Sequence, residues 1–276
     1  MTPSQATTEQ FSYATLGKTG LRVFRMGLSA SYRPGTAAIH SALDAGVNVL
    51  FAYGFDRQMI RVLRETLRKK RDSYVVITGA YNYLWSHQNV RRTVEKRLRQ
   101  LTTDYIDVFL FLGVMKKEQF TERARDDLYH CREQGKVRFV GVSSHDRRFA
   151  GDLARDGVVD VLMIRYNAAH RGAEADIFPR LAAHNTGVLS YTATRWRQLL
   201  RRPRGWPKDG FSPTAQQCYR FVLSHPSVHV CLTAPSNRKQ LEANLRALEE
   251  GPLSEEELAD MQRFGDAVHG ARHWFM

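Results

Sequence analysis

Short runs of apolar and β-branched residues alternate along this chain with longer segments in which apolar positions recur every three or four residues. The runs occupy residues 24–28, 47–51, 74–78, 105–111, 137–142, 159–164, 187–191 and 228–232. A strand covered by helices on one side and by a core on the other reads as an unbroken apolar run, because neither face meets water. Eight such runs at fairly even intervals, each followed by helical spacing, predict a closed parallel (β/α)8 barrel, a TIM barrel, rather than an open doubly wound sheet. The helical segments carry their own boundaries. Val90, Val94, Leu98 and Leu101 share one face, and Phe120, Ala124, Leu128 and Cys131 share another that Gly135 terminates. Ser212 with Pro213 reads as a helix start, and Ser254 with Glu257 forms a capping box ahead of Leu258, Met261 and Phe264.

At 276 residues the chain suits one barrel domain of about 250 residues. No Pro/Gly/Ser-rich linker divides it, so residues 11–276 read as one domain behind a polar tail at 1–10 that lacks the features of a signal peptide. The longest apolar stretch, 108–115, is far short of the roughly 20 residues that a membrane span requires. Cys131, Cys218 and Cys231 are scattered, without metal or disulfide spacing, which predicts a reducing, cytoplasmic setting. A formal net charge of +13 favours acidic partners, among them nucleotide phosphates and nucleic acid. The irregular stretch 195–211 follows the seventh predicted strand, on the face where barrel enzymes build their sites. It holds Arg195, Arg197, Arg201, Arg202 and Arg204 among Trp196 and Trp206, a set suited to a pyrophosphate or acidic ligand but weak as a nucleic-acid signature. The basic segment 64–71 reads as a solvated helix face. Dinucleotide, P-loop, zinc-protease and nucleophile-elbow patterns are all missing.

Several motifs occur in a familiar order: Leu16-Gly17-Lys18-Thr19-Gly20-Leu21 within an N-terminal hairpin, Ala45-Gly46-Val47-Asn48, Leu101-Thr102-Thr103-Asp104-Tyr105-Ile106-Asp107, and Gly135-Lys136-Val137-Arg138-Phe139-Val140-Gly141-Val142-Ser143. Tyr166-Asn167, Gly187-Val188-Leu189-Ser190-Tyr191 and Ser236-Asn237-Arg238-Lys239-Gln240-Leu241-Glu242-Ala243-Asn244 continue the series. Together they resemble the bacterial aldo-keto reductases over nearly the whole chain. That resemblance implies NADPH-dependent carbonyl reduction by a tyrosine, a lysine, an aspartate and a histidine. A phenol of ordinary pKa about 10 needs a neighbouring ammonium, itself held by a carboxylate, to relay a proton near neutrality.

Alignment on those motifs puts Phe51 where the family has aspartate, Gly79 at the lysine and Leu112 at the histidine, leaving Tyr53 to match the tyrosine. The resemblance also marks cofactor positions. Tyr191 would stack on the nicotinamide, Ser143, Ser144 and Met163 stand at its carboxamide contacts, and Ser236, Asn237, Arg238, Gln240 and Asn244 stand where the adenosine phosphate is held. His145, just after Ser143-Ser144, is the substitute acid or base, although its plainer reading is an exposed loop histidine. Asp56 is the carboxylate nearest to Phe51. Three classes of function follow: an NADP(H)-linked oxidoreductase with weak ordinary carbonyl reduction, a non-redox enzyme reusing the pocket on a small-molecule substrate, or a catalytically silent barrel that binds nucleotide or protein.

Overall fold

The structure is a computed structural model describing residues 11–83, 86–87 and 89–271, with side chains outside 82–88. The tail at 1–10 lies outside the described residues. An antiparallel hairpin of β1 (Tyr13–Thr15) and β2 (Arg22–Phe24) precedes the barrel. There follow β3 (Met26–Ser29), α1 (Thr36–Asp44), β4 (Val49–Phe51), α2 (Arg57–Lys70), β5 (Val75–Tyr83) and its hairpin partner β6 (Ser86–His87), then α3 (Val90–Leu101) and β7 (Ile106–Val114). The second half runs α4 (Glu122–Glu133), β8 (Val137–Ser144), α5 (Arg147–Arg155), β9 (Val161–Arg165), α6 (Ala173–Asp176), β10 (Gly187–Tyr191), α7 (Ala215–Ser224), β11 (Val230–Thr233), α8 (Arg238–Glu249) and α9 (Glu255–Gly270). The parallel strands neighbour one another in the order β4, β3, β11, β10, β9, β8, β7, β5, and β5 pairs again with β4 to close the barrel.

Strand alternation sorts the side chains. Along β5, Val75 and Ile77 enter the barrel interior with Val49, Phe51, Val108, Leu110 and Leu112, whereas Val76 and Ala80 join the layer under the helices. Leu16 and Val23 of the β1–β2 hairpin join the interior, and Lys18 N–H donates to Asn185 just before β10, so the hairpin closes the end where the strands begin. Asp56, Asn89, Thr121, Asp146, Asn237 and Ser254 each accept an N–H three residues on, capping α2, α3, α4, α5, α8 and α9. Gly135 follows α4 at φ 71°, the left-handed conformation that ends a helix.

All eight sequence runs are barrel strands, with three corrections of detail. The first run splits at Arg25: Phe24 belongs to β2, and the buried Arg25 guanidinium donates to the carbonyls of Phe11, Leu223 and Val228. The helix start assigned to Ser212 falls two residues later. Thr214 caps α7 in a capping box with Gln217, because Thr214 is the residue whose hydroxyl reaches the Gln217 N–H. Finally, the segment 64–71 is not wholly a solvated face. Arg71 folds under the barrel to reach the buried Asp107 at 2.7 Å, and Asp107 also accepts from Val76 N–H at 2.9 Å and from Arg138 at 2.9 Å.

Candidate functional site at the barrel mouth

At the carboxyl ends of the strands, one half of the mouth is aromatic. Phe51 closes β4 inside the barrel, and the chain leaves through Tyr53, whose ring meets Phe51 edge-on at 4.6 Å. On its other sides Tyr53 stacks with Phe55 at 5.2 Å and with Tyr81 of β5 at 5.9 Å. Gly54 lies against the buried Arg97, whose guanidinium occupies the space a side chain would need: a Cβ on Gly54 would fall 2.0 Å from Arg97 Cζ. Burial holds Arg97 below the usual arginine pKa. Gly79 points inward two residues before Tyr81, and a Cβ there would lie 2.2 Å from the Leu110 carbonyl oxygen and 2.8 Å from Leu112 Cγ. Leu112 therefore occupies the room that a longer residue at 79 would enter. Phe51, Gly79 and Leu112 face one interior, and none carries an ionisable group. Asp56 is not an available carboxylate at the mouth. It is the buried cap of α2, accepting from Met59 N–H, with its pKa raised mainly by burial.

The other half of the mouth is polar. Tyr191, at the end of β10, bonds Ser143 and places its hydroxyl 3.3 Å from His145 Nε2, and burial pushes its phenol up to about 12. His145 is not the exposed loop histidine of the plainer reading. Its backbone is tied to the Val114 carbonyl, its Nδ1 is buried, and burial with the charge of Arg165 holds it below the ordinary histidine pKa. Both causes disfavour the charged imidazolium. Ser144 is already committed, donating to the Val114 carbonyl and accepting from Asp146 N–H. Met163 is buried below Arg165 on β9, and Arg165 stands in register with Tyr191.

The segment before and into α8 is mostly occupied by its own fold. Asn237 caps the helix through Gln240 N–H, Gln240 accepts from Ser236 N–H, and Asn244 donates to Thr233 Oγ1, which also meets the Tyr219 hydroxyl at 2.8 Å. Arg238 is exposed and pairs with Glu242 at 2.6 Å. Among the loop arginines, Arg195 is withdrawn from any ligand: it is buried and donates to the Val268 carbonyl, while Trp206 packs on Phe264 and donates to the Phe211 carbonyl. Arg201, Arg202 and Arg204 line a separate cavity of about 240 Å³. A larger open cavity, about 1110 Å³, borders Gly54, Phe55 and Asp56 on the α2 side, and Tyr191, Ser143 and Ser236 are not part of its lining.

The model of the Aldo/keto reductase family matches residues 28–203 and 206–266. The chain belongs to the aldo/keto reductase family. Among its relatives, L-glyceraldehyde 3-phosphate reductase of Escherichia coli (strain K12) is 22% identical over 92% of each chain, and methylglyoxal reductase YeaE of the same strain is 25% identical over 93% of each. Aldo-keto reductase AKR11C1 from Bacillus halodurans superposes with a TM-score of 0.75 at 20% identity, covering 92% of this chain and 96% of its own. An aldo/keto reductase from Klebsiella pneumoniae, in complex with NADP and acetate, gives 0.72 at 22% identity over 92% and 95%. These likenesses establish the family barrel.

Sequence reasoning missed Tyr81 and Arg165. Both were accessible by counting in twos from residues already singled out, Gly79 and Met163, since alternate residues of a strand share a face.

Proposed function

We propose that this aldo/keto reductase family member binds NADP(H) chiefly through the adenosine phosphate and carries out ordinary carbonyl reduction weakly or not at all. The observation that carries the reading is the apolar lining at 51, 79 and 112, where Leu112 fills the space beside a glycine that has no room for a Cβ. A carbonyl oxygen gaining charge beside Phe51 and Leu112 would lose water without gaining a preorganised donor from those positions. Tyr53 retains a hydroxyl that could donate a proton, but the ammonium and carboxylate that would tune it are replaced.

The two ends of the cofactor fit unequally. At the phosphate end, exposed Arg238 and Ser236 flank the start of α8, where free N–H groups and the helix dipole favour an anion, and Arg238 can exchange Glu242 for a phosphate. At the other end, Tyr191 offers a ring and Ser143 a hydroxyl, while Ser144 is tied to backbone and the Met163 thioether offers only a weak acceptor. When bound, NADPH supplies hydride. This chain's residues would hold its carboxamide with few hydrogen bonds, which argues for binding without efficient transfer. The reductase names of the relatives and the NADP-bound Klebsiella protein support the cofactor class.

Titration of the purified chain with NADPH and NADH, followed by calorimetry, tests the reading. NADPH is expected to bind more tightly, and Arg238→Ala to abolish the preference. Absence of binding by either nucleotide at about 1 mM would sink the proposal. So would aldehyde reduction at about 1 per second or faster, the ordinary enzyme range.

A further inference from the structure

Buried polar atoms without a hydrogen-bond partner are rare in folded proteins, and three of them share one corner of this barrel mouth: Arg165 Nη1, His145 Nδ1 and His170 Nε2. Arg165 ends β9 on the inward-facing side shared by Val161 and Met163, beside Tyr191 in the register of the sheet. Tyr191 in turn places its hydroxyl 3.3 Å from His145 Nε2, and the charge of Arg165 works to lower the pKa of His145, His170 and Tyr191. The nearby cations are already occupied elsewhere. Arg147 bonds Asp176 at 2.8 Å, and Arg195 donates to the Val268 carbonyl at 2.7 Å. Arg165 has no carboxylate within ion-pair distance among the described residues, unlike Arg71 and Arg220, which reach Asp107 and Glu257. A partly buried guanidinium with one donor nitrogen out of water and unpartnered is completed by an oxyanion, whose planar or tetrahedral oxygens match its fork.

We propose that the barrel mouth binds a small molecule through its carboxylate or phosphate group, with Arg165 as the anchoring charge and Tyr191 and His145 beside it. The inference rests on the mouth being the ligand site of the proposed function, but it does not require NADP(H) to be bound. In this arrangement the site has exchanged the family's polar centre at 51, 79 and 112 for an anion anchor on the opposite wall. Specificity passes from the carbonyl to the charged end of the ligand.

The test uses the full nucleotide-free chain. Calorimetric titration with malonate and inorganic phosphate is compared with neutral malonamide, which has malonate's size without its charge. Binding of at least one of the two anions, without malonamide binding, is expected, with affinity falling about tenfold or more in Arg165→Gln and partly recovering in Arg165→Lys. In wild-type protein, the Arg165 side-chain N–H resonance is expected to shift with the same midpoint, a readout independent of how well the variants fold. Silence of both anions at about 10 mM, equal binding of malonamide, or unchanged affinity in Arg165→Gln would overturn the proposal. A second titration adds NADP⁺. Independent binding of the anion and the nucleotide supports a separate ligand, whereas mutual competition would assign Arg165 to the nucleotide's own phosphates and overturn it. Failure of NADPH binding with anion binding intact would refute only the cofactor reading.

Discussion

Gly79→Ala isolates the steric reason why position 79 does not readily accept a side chain. The added Cβ would sit 2.2 Å from the Leu110 carbonyl oxygen, against an ordinary carbon–oxygen approach of about 3.3 Å or more, so β5 and β7 must part by about 1 Å. Overpacking a core costs about 1–3 kcal/mol, and the upper part of that range applies because the obstructing atom is backbone within a paired ladder, Gly79 facing Leu110. At roughly 2–4 °C per kcal/mol for a chain of this size, a loss of about 3 kcal/mol lowers Tm by about 6–12 °C. The second close contact, Leu112 Cγ at 2.8 Å, separates two explanations. If the carbonyl dominates, Leu112→Ala does not rescue Gly79→Ala, and the double variant carries nearly the sum of both losses, with Leu112→Ala alone costing about 2–5 kcal/mol. Circular dichroism melts and urea curves of the four proteins measure this. A Gly79→Ala change under about 0.5 kcal/mol would refute the steric account, and rescue by Leu112→Ala would transfer the obstruction from backbone to side chain.

The double variant Phe51→Asp with Leu112→His is expected to leave aldehyde turnover within about tenfold of wild type, because position 79 still lacks an ammonium; a larger gain in NADPH absorbance loss would show that the lysine is dispensable. Asp107→Asn leaves Arg71 and Arg138 facing a neutral amide and should cost about 3 kcal/mol by urea denaturation, a loss under 1 kcal/mol marking the cluster as marginal. Burial, reinforced by nearby arginines, holds His170 down to about 3 and His229 down to about 4, so below about pH 6.5 the unfolded chain binds protons that the folded chain refuses. Stability is then full above the ordinary histidine value and is lost as pH falls toward 4. His229→Gln should reduce the drop in urea midpoint between pH 7.5 and about 4.5, and an unchanged drop would remove His229 from the account. Replacing Arg201, Arg202 and Arg204 with Ala should leave NADPH affinity unchanged, and oligonucleotide binding by wild type should vanish at physiological salt; retention there, lost in the triple variant, would revive a nucleic-acid role.

The alternation of buried strands and helical spacing was enough to determine the barrel, because a parallel strand covered on both faces is an apolar run wherever it occurs, and eight such runs leave few closed topologies. Collinear motifs likewise singled out Phe51, Gly79 and Leu112, which strand parity, a local property, turns to one interior. What sequence could not determine is what stands opposite each position. That Leu112 occupies the space a side chain at Gly79 would need depends on the register of β7 against β5, two segments about 30 residues apart. Asp56 reads as an available carboxylate until α2 begins at Arg57 and takes it as a cap. Arg71 reads as one more surface charge until the barrel brings Asp107 beneath it, and Arg195 as one more loop charge until α9 packs across it and the Val268 carbonyl accepts a hydrogen bond from it. Arg165 and His145 acquire their character in the same way: each is ordinary in its own segment, and closure of β8, β9 and β10 takes Arg165 Nη1 and His145 Nδ1 out of water without a partner. Local pattern determines elements, because hydrophobic periodicity acts within a segment. Burial, charge pairing and steric room are properties of the space between segments, and only the tertiary structure decides them.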